Sequence, residues 1–359
     1  CLSSIWVTDD TVKDYFETHK RPEAFRPLKP GAMARYDAMV RIDLSSIESM
    51  IALPFHPGNA FTIHELLENP KDILRTVEKD ASSQFGNKVT LTLTDKVIDG
   101  KIMTDQGIIA GCAGGTFENL CAAADILRGA SIGNVFFTMS VYPSSMPVFA
   151  ALTDNGIMST FLKAGVVAKM PFCGPCFGAG DVPANDGFSI RHTTRNFPNR
   201  EGSKPEQGQL ACVALMDARS IAATGAAQGV LTAATDLDIK VRSYPYRFDS
   251  SIYEKRCYNG FNNPQPKESL RLGPNITDWP KIMPLPRNLI IELAAVIHDP
   301  VTTTDELIPS GETSSYRSNP MKLAEFTLSR REPQYVPRAK EIRAMEQERQ
   351  EQKIPEKLI

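Results

Sequence analysis

The chain lacks the long apolar runs, the excess of one charge and the even set of cysteines that mark several classes of protein. No apolar run approaches the ~18 residues of a membrane span, so we expect no membrane partner. Lys and Arg number 40 against 42 Asp and Glu, and this balance leaves no global basic field to attract nucleic acid. The seven cysteines fit reduced thiols better than a disulfide framework, which indicates a reducing compartment such as the cytoplasm or an organelle matrix.

Short apolar segments alternate with helix-like segments from about residue 105, a pattern typical of α/β proteins. GIIAG (107–111) predicts a short buried strand that runs into Cys112, and NVFFTMSVY (134–142) predicts a second strand. Between them, TFENLCAAADILR (116–128) predicts a helix with Thr116 as its N-cap. The alternation predicts a central, mostly parallel sheet covered by helices.

The other segments have weaker patterns. Further helices are expected at 8–19, 64–79, 208–222 and 288–297, with a solvated helix from about residue 336. Strand-like composition is found in YDAMVRIDL, within 35–52, and in 87–98. Residues 238–286 are rich in Pro and Asn and predict a long irregular connection.

Three cysteines lie in glycine-rich loops, Cys112 in GCAGGT and the pair Cys173 and Cys176 in FCGPCFGAGD. A loop with few side chains lets thiolates and backbone N–H groups converge on one inorganic group. The Cys-x-x-Cys pair alone is compatible with a redox dithiol, with half of a zinc site completed by a residue such as His192, or with an iron–sulfur site. Cys112 follows a predicted buried strand, where α/β sheets form ligand crevices. Three thiolates around a cluster would leave one iron open.

The remaining cysteines carry no predicted role in that site. Cys121 and Cys212 lie on apolar faces of predicted helices and are expected to be core residues. An N-terminal Cys1 could serve as a nucleophile, but no partner residues near it support this. Cys257 lies in the irregular connection and is left unassigned.

Four motifs, in this order, resemble those of the aconitase superfamily of iron–sulfur hydro-lyases. They are GIIAGCAGGTFENL, then CGPCFGAGD with its first cysteine 61 positions after Cys112, then TTRNFPNREG, and then TTTDELIPSGETSSYR. The resemblance implies that Cys112, Cys173 and Cys176 hold a [4Fe–4S] cluster whose open iron acts as a Lewis acid on a substrate hydroxyl.

The same resemblance assigns three arginines and one aspartate. Arg195, Arg200 and Arg317 would bind substrate carboxylates, and Asp305 would be a catalytic residue. A di- or tricarboxylate needs fixed guanidinium groups, which agrees with this assignment. Without the motifs, loop arginines are more often solvated, and Asp305 could be only a turn or capping residue.

The resemblance implies a hydro-lyase of the aconitase or isopropylmalate isomerase type, which hydrates and dehydrates a hydroxy di- or tricarboxylic acid. The alternative is a non-catalytic member of the same fold that binds or senses a cluster. The arginines and Asp305 favour the enzyme, because a sensor needs none of them.

The resemblance also implies a domain organisation with three-layer α/β domains. Residues 1–80 would be part of one such domain, 81–237 the cluster-binding domain, 238–286 a linker and 287–359 the start of a swivel domain. The family's leading domain and the serine-bearing part of its last domain are not found in this sequence. We therefore expect the rest of the enzyme, on the same or a separate chain, as a partner. GCAGGT in place of Cys-Thr-Asn, and Thr194 in place of Asn, predict a divergent branch.

Overall fold

The structure is a computed structural model. It describes residues 4–87, 89–134, 136–204, 208–269, 271–273, 276, 287, 291–298, 304–309, 312–313, 316 and 318–353. Arg317 and Cys1 lie outside the described residues, and of Asp305 only the backbone is described.

The strands are short and most of them join one sheet. They are β1 (Met50–Ala52), β2 (Ala60–Thr62), β3 (Val97–Ile98), β4 (Lys101–Ile102), β5 (Gln106–Ile109), β6 (Thr138–Val141), β7 (Val167–Ala168), β8 (Phe188–His192) and β9 (Cys212–Met216). Seven of them form a sheet in the order β2-β1-β9-β8-β5-β6-β7, and β3 pairs with β4 in a separate hairpin. Strands β5 to β9 pair in parallel, whereas β1 pairs antiparallel with β2 and β9. The predicted α/β class with a mostly parallel sheet is confirmed.

The helices flank this sheet or extend from it. They are α1 (Asp10–Thr18), α2 (Ile63–Glu68), α3 (Pro70–Gln84), α4 (Gly111–Gly114), α5 (Phe117–Leu127), α6 (Met146–Asp154), α7 (Ile157–Ala164), α8 (Ala218–Ala226), α9 (Ser251–Glu254), α10 (Thr304–Leu307), α11 (Pro320–Ala324) and α12 (Tyr335–Glu351). Helix α5 packs against α7 and α8, and α8 packs against β5 and β8. The core between these helices and the sheet includes Ile109, Leu120, Val141, Phe161, Ile190 and Ile221.

Helix α5 has the start and the buried face that its sequence predicts. The Thr116 hydroxyl accepts a hydrogen bond from the Asn119 N–H at 3.4 Å, which confirms the N-cap. The face predicted from the spacing is buried, and it comprises Phe117, Leu120, Cys121, Ala124 and Leu127. The core assignment of Cys121 is therefore confirmed.

The helix predicted at 208–222 is wrong. Cys212–Met216 is strand β9, and helix α8 begins only at Ala218, after Asp217 caps it by accepting from two backbone N–H groups. A strand covered on both faces is a continuous apolar run, which periodicity alone does not distinguish from a buried helix. Cys212 is buried as expected, but in the sheet.

Three further expectations fail in the described residues. The segment YDAMVRIDL forms no strand and leaves Met39 and Val40 more than four-fifths exposed. Of 87–98, only Val97–Ile98 is a strand, after a helical turn at Leu93–Lys96. Residues 291–297, which belong to the predicted helix 288–297, have no regular structure. Strand propensity expresses itself only where a neighbouring surface can pack against the side chains.

The C-terminal helix agrees with the prediction of a solvated tail. Helix α12 has no buried residue along its 17 positions. No helix in the described part of the chain has the length and apolarity that crossing a bilayer requires.

Candidate functional site

The parallel sheet places the cysteine loops at one edge. Strands β5 and β7 pair in parallel with opposite sides of β6, so the carboxyl ends of all three lie at the same edge. Cys112 follows β5 in the single helical turn α4. Cys173 and Cys176 follow β7, where Gly174–Cys176 forms a 3₁₀ turn. Two glycine-rich loops, far apart in sequence, therefore meet where α/β sheets bind their ligands.

The two thiols of the second loop are close to one another. The Sγ atoms of Cys173 and Cys176 are 2.6 Å apart, and both residues are free thiols. Cys112 and Cys173 are exposed, whereas Cys176 is only 7% exposed. The group is thus accessible from one side and backed by the protein on the other.

Gly111 brings the first loop into contact with the second. Its φ of +73° lies in the left-handed region, which glycine adopts at little cost. A Cβ atom at this position would lie 2.9 Å from the Cys176 Sγ and 3.2 Å from the Cys173 Sγ. The missing side chain lets the backbone of the first loop approach both thiols of the second.

Burial and neighbouring thiols control the protonation of Cys176. Burial raises the pKa of the Cys176 thiol to about 12, and the hydrogen bond with Cys173 and the charges of Cys173 and Cys112 act in the same direction. The Arg200 guanidinium opposes this rise. Arg200 and the other two cysteines therefore act on the protonation of Cys176 in opposite directions. A bound metal would replace the Cys176 proton, because the thiolate is the ligating form.

The described side chains form no ready site for a single metal ion. Among the described residues, no three His, Cys, Asp or Glu side chains are arranged to hold one metal ion. In a cubane cluster each thiolate binds a different iron, so three thiols need not converge on one point. The Cys173 and Cys176 side chains would have to turn apart to do this, and Cys173 is exposed to solvent. His192, the candidate for a zinc ligand, is not part of any such group within the described ranges.

Of the residues assigned to the substrate, the structure places one beside the cysteines. Arg200 is 8% exposed and close enough to influence Cys176. Arg195 is exposed, and no contact connects it to the thiols in the part of the chain that is described. The backbone of Asp305 lies in α10, while its side chain and the whole of Arg317 lie outside the described residues. The roles of all four therefore remain predictions.

Unpartnered polar atoms are concentrated at the end of β8 and in the segment that follows it. Within the described residues, four buried atoms there have no hydrogen-bond partner, namely His192 Nδ1, Asn196 Oδ1, Asn199 Oδ1 and Glu201 Oε2. His192 also lines a cavity of about 710 Å³ beside the ends of β8 and β9. Buried polar atoms nearly always have a partner, so ordered water or a polar ligand would be needed to satisfy these four.

Sequence reasoning missed two buried charges near the cysteines. Arg191, at 1% exposed, lies in β8, and Glu201 is buried among the same elements. Burial raises the pKa of the Glu201 carboxyl, although its hydrogen bonds with Ser203 and the charge of Arg191 oppose this. Burial lowers the pKa of Arg191 to about 10, so the guanidinium stays charged at neutral pH. The only signal in the sequence was that Arg191 directly follows the short strand-like segment FSI (188–190).

Comparisons with known proteins agree with this geometry. The model of the aconitase family (aconitate hydratase) matches residues 1–223, which is more than half of the chain. The match includes the three cysteines, Arg195 and Arg200, and it ends before Asp305 and Arg317.

Curated relatives are similar over the same part of the chain. The 3-isopropylmalate dehydratase large subunit of Moorella thermoacetica is 27% identical over 220 residues, which are 61% of this chain and 44% of that protein. The large subunit 2 of Rubrobacter xylanophilus is 29% identical over 241 residues, 67% of this chain and 47% of that protein. The chain thus spans less than half the length of these relatives. By its cysteine loops, its sheet and the extent of the family match, the chain belongs to the aconitase family.

Proposed function

We propose that Cys112, Cys173 and Cys176 bind a [4Fe–4S] cluster in a hydro-lyase of which this chain is a part. The observation that carries the proposal is that the two loops with these three cysteines lie at one carboxyl edge of a parallel sheet. Gly111 supports it, because any side chain at that position would fill the space between the loops. A core packed only for stability has no need of such a space beside free thiols.

The protein residues around the thiols suit an anionic substrate. A cluster held by three thiolates has an open iron that serves as a Lewis acid for a hydroxyl group. Arg200 supplies a fixed positive charge in the wall of the site, and the exposed Arg195 can reach a carboxylate from the solvent side. The unpartnered atoms of Asn196 and Asn199 add polar groups between these two arginines.

We further propose that the substrate is a hydroxy di- or tricarboxylic acid. The relatives are named as large subunits of 3-isopropylmalate dehydratase, which supports a carboxylate-bearing substrate and a further polypeptide as partner. Asp305 would act as a catalytic residue and Arg317 as a carboxylate ligand, in a segment beyond the family match. The remainder of the enzyme, on this polypeptide or a separate one, would supply the other proton-transfer groups.

Anaerobic reconstitution with iron and sulfide tests the cluster. We expect the wild-type chain to become brown and to bind close to four irons, and serine substitutions at Cys112, Cys173 or Cys176 to reduce iron loading several-fold. Cys257→Ser is the matched control, since Cys257 is exposed and lies in a different loop. A colourless wild-type protein with tightly bound zinc would refute the proposal.

The same preparation separates an enzyme from a cluster-binding sensor. Adding hydroxy di- and tricarboxylic acids to the loaded protein, in the presence of the remaining domains, should change its absorption spectrum and yield the dehydrated acid. Arg195→Met should weaken the spectral response by about tenfold or more, because a charged hydrogen bond to a carboxylate is lost. A loaded protein that responds to none of these acids would support the non-catalytic alternative.

A further inference from the structure

Arg191 is a charged residue at a buried position of a parallel strand, where an apolar residue is usual. It lies in β8, between parallel neighbours β5 and β9, and it is among the largest fully buried side chains of the described residues. An isolated charge in such a place is costly unless hydrogen bonds and opposite charges compensate it. The hydrogen bonds that compensate the charge of Arg191 indicate the role of this residue.

The Arg191 guanidinium joins the sheet to the cysteine loop. On the sheet side, its Nε donates to the Ser189 hydroxyl at 2.9 Å and a terminal nitrogen donates to Gln106 Oε1 at 3.1 Å. On the loop side, it donates to the Pro175 carbonyl at 2.8 Å and to the Asp181 carbonyl at 2.7 Å. The loop contacts fall between the two cysteines of the pair and at the end of FCGPCFGAGD.

A second contact holds the end of this loop. The Tyr142 hydroxyl, just after β6, donates to Asp181 Oδ2 at 2.6 Å. Lys169 Nζ lies 3.7 Å from the other oxygen of the same carboxylate. Asp181 is therefore held by its backbone from β8 and by its side chain from the residues after β6 and β7. The Pro175 carbonyl, inside the turn that carries Cys176, is held by Arg191.

We propose that Arg191 is a positioning residue that anchors the Cys173–Asp181 loop to the sheet and keeps Cys176 directed towards Cys112. The guanidinium suits this task because its planar fork donates in several directions at once, which a lysine ammonium on a flexible stem does not reproduce. Anchoring of the loop does not require a cluster. The consequence for cluster retention rests on the proposed function.

Thiol alkylation of the metal-free chain tests the anchoring. Iodoacetamide labelling followed by peptide mass spectrometry gives a separate rate for each cysteine. In Arg191→Met the loop loses two hydrogen bonds to a charged donor, and we expect Cys176 to react about tenfold faster or more. Cys212, buried in β9, is the internal reference for global unfolding and should keep its slow rate.

Two further variants complete the design. Arg219→Met is the matched control, because Arg219 is an exposed arginine at the start of α8. Arg191→Lys retains the charge but not the fork, and it should also accelerate Cys176 labelling. A Cys176 rate in Arg191→Met equal to that in Arg219→Met would overturn the proposal.

If Arg191→Met unfolds, Cys212 will label rapidly as well. The double variant Gln106→Leu and Ser189→Ala then replaces it, because it removes the acceptors on the sheet side and leaves the loop sequence intact. We expect Cys176 labelling to rise about threefold or more, less than in Arg191→Met because the two donations to the loop remain, with Cys212 still protected. An unchanged rate of Cys176 labelling in this folded variant would also overturn the proposal.

Cluster retention is measured separately. After anaerobic reconstitution, the visible absorbance of Arg191→Lys should decay several-fold faster in air than that of Arg219→Met. If the wild-type chain takes up no cluster, the proposed function fails, while the labelling rates of the metal-free protein still decide the role of Arg191. If the cluster forms and decays at equal rates in both variants, Arg191 has no part in retaining it.

Discussion

Gly111 is the residue at which the backbone of the first loop comes closest to the thiols of the second. Two separate demands meet there, a positive φ and the space occupied by two sulfur atoms. The demands can be separated, because Gly156 has the same φ of +73° and no heavy atom lies within 4 Å of the place that a Cβ atom would take there. A comparison of the two glycines therefore isolates the contact with sulfur.

Alanine substitutions at Gly111 and Gly156 should separate the cost of the backbone conformation from the effect of the contact with sulfur. Both Gly111→Ala and Gly156→Ala should lower the free energy of unfolding by about 1–2 kcal/mol, the cost of a left-handed conformation for a residue with a Cβ. Gly111→Ala should in addition reduce iron loading, since its methyl group would press on Cys173 and Cys176. Chemical denaturation and iron analysis measure the two effects. Equal iron loading of both variants would show that the contact is irrelevant to the site.

At the scale of elements, His64 connects three parts of the fold that are distant in sequence. It lies in α2, its Nδ1 is 2.9 Å from Glu48 Oε2 before β1, and its Nε2 is 2.8 Å from Asp236 Oδ1. The hydrogen bonds to Glu48 and Asp236 raise the pKa of His64 above its usual 6.5. A raised pKa in the folded state means that the charged imidazole stabilises the fold below pH 6.5, and that this contribution is lost as the pH rises through the higher value.

His64→Gln should therefore cost more stability in acid than in base. The groups are exposed, so we expect a loss of no more than about 1 kcal/mol near about pH 5.5 and almost none near about pH 8.5. Urea denaturation of both proteins at the two pH values measures the difference. A loss that is the same at both values would mean that the ion pairs do not stabilise the charged imidazole.

The sequence predicts elements well where a local pattern is sufficient. Helix α5 and strand β5 carry their own caps, periodicity and flanking glycines, and both occur as predicted. Strand β9 does not, because its five residues are covered by other elements and have no alternation. The apolar residues around Met39 resemble a strand only by composition, and no described element packs on them.

The candidate site likewise contains residues that a local sequence pattern marks and residues that only the fold reveals. Glycines and the resemblance to a family mark the cysteine loops in the sequence, and the role of the three cysteines stays a prediction. Arg191 is not marked in this way, because its function depends on the Pro175 and Asp181 carbonyls, which only the folded sheet brings within reach. A hydrogen bond to a backbone carbonyl imposes no requirement on the side chain of its acceptor and leaves no trace in the sequence.

At the scale of the whole molecule, burial is concentrated in the sheet and its helices. The segments before β1 and after α8 contribute little to this core among the described residues. We expect hydrogen exchange to be slowest in peptides from 106–127 and 212–226 and near the unfolded rate in peptides from 27–43 and 256–269. Exchange followed by mass spectrometry checks this. Strong protection of 27–43 would mean that this segment packs on a surface the structure does not show.

The parallel pairing of β5, β6 and β7 has a consequence for the order of assembly. Cys112 and Cys173 are 61 positions apart, and only the finished crossovers through α5, α6 and α7 bring their loops to one edge. Parallel pairing of distant strands forms late, because the closure of long loops must come first. A metal group that needs all three thiols would find their loops at one edge only after β5, β6 and β7 have paired. Uptake of such a group would then report that this part of the sheet has folded.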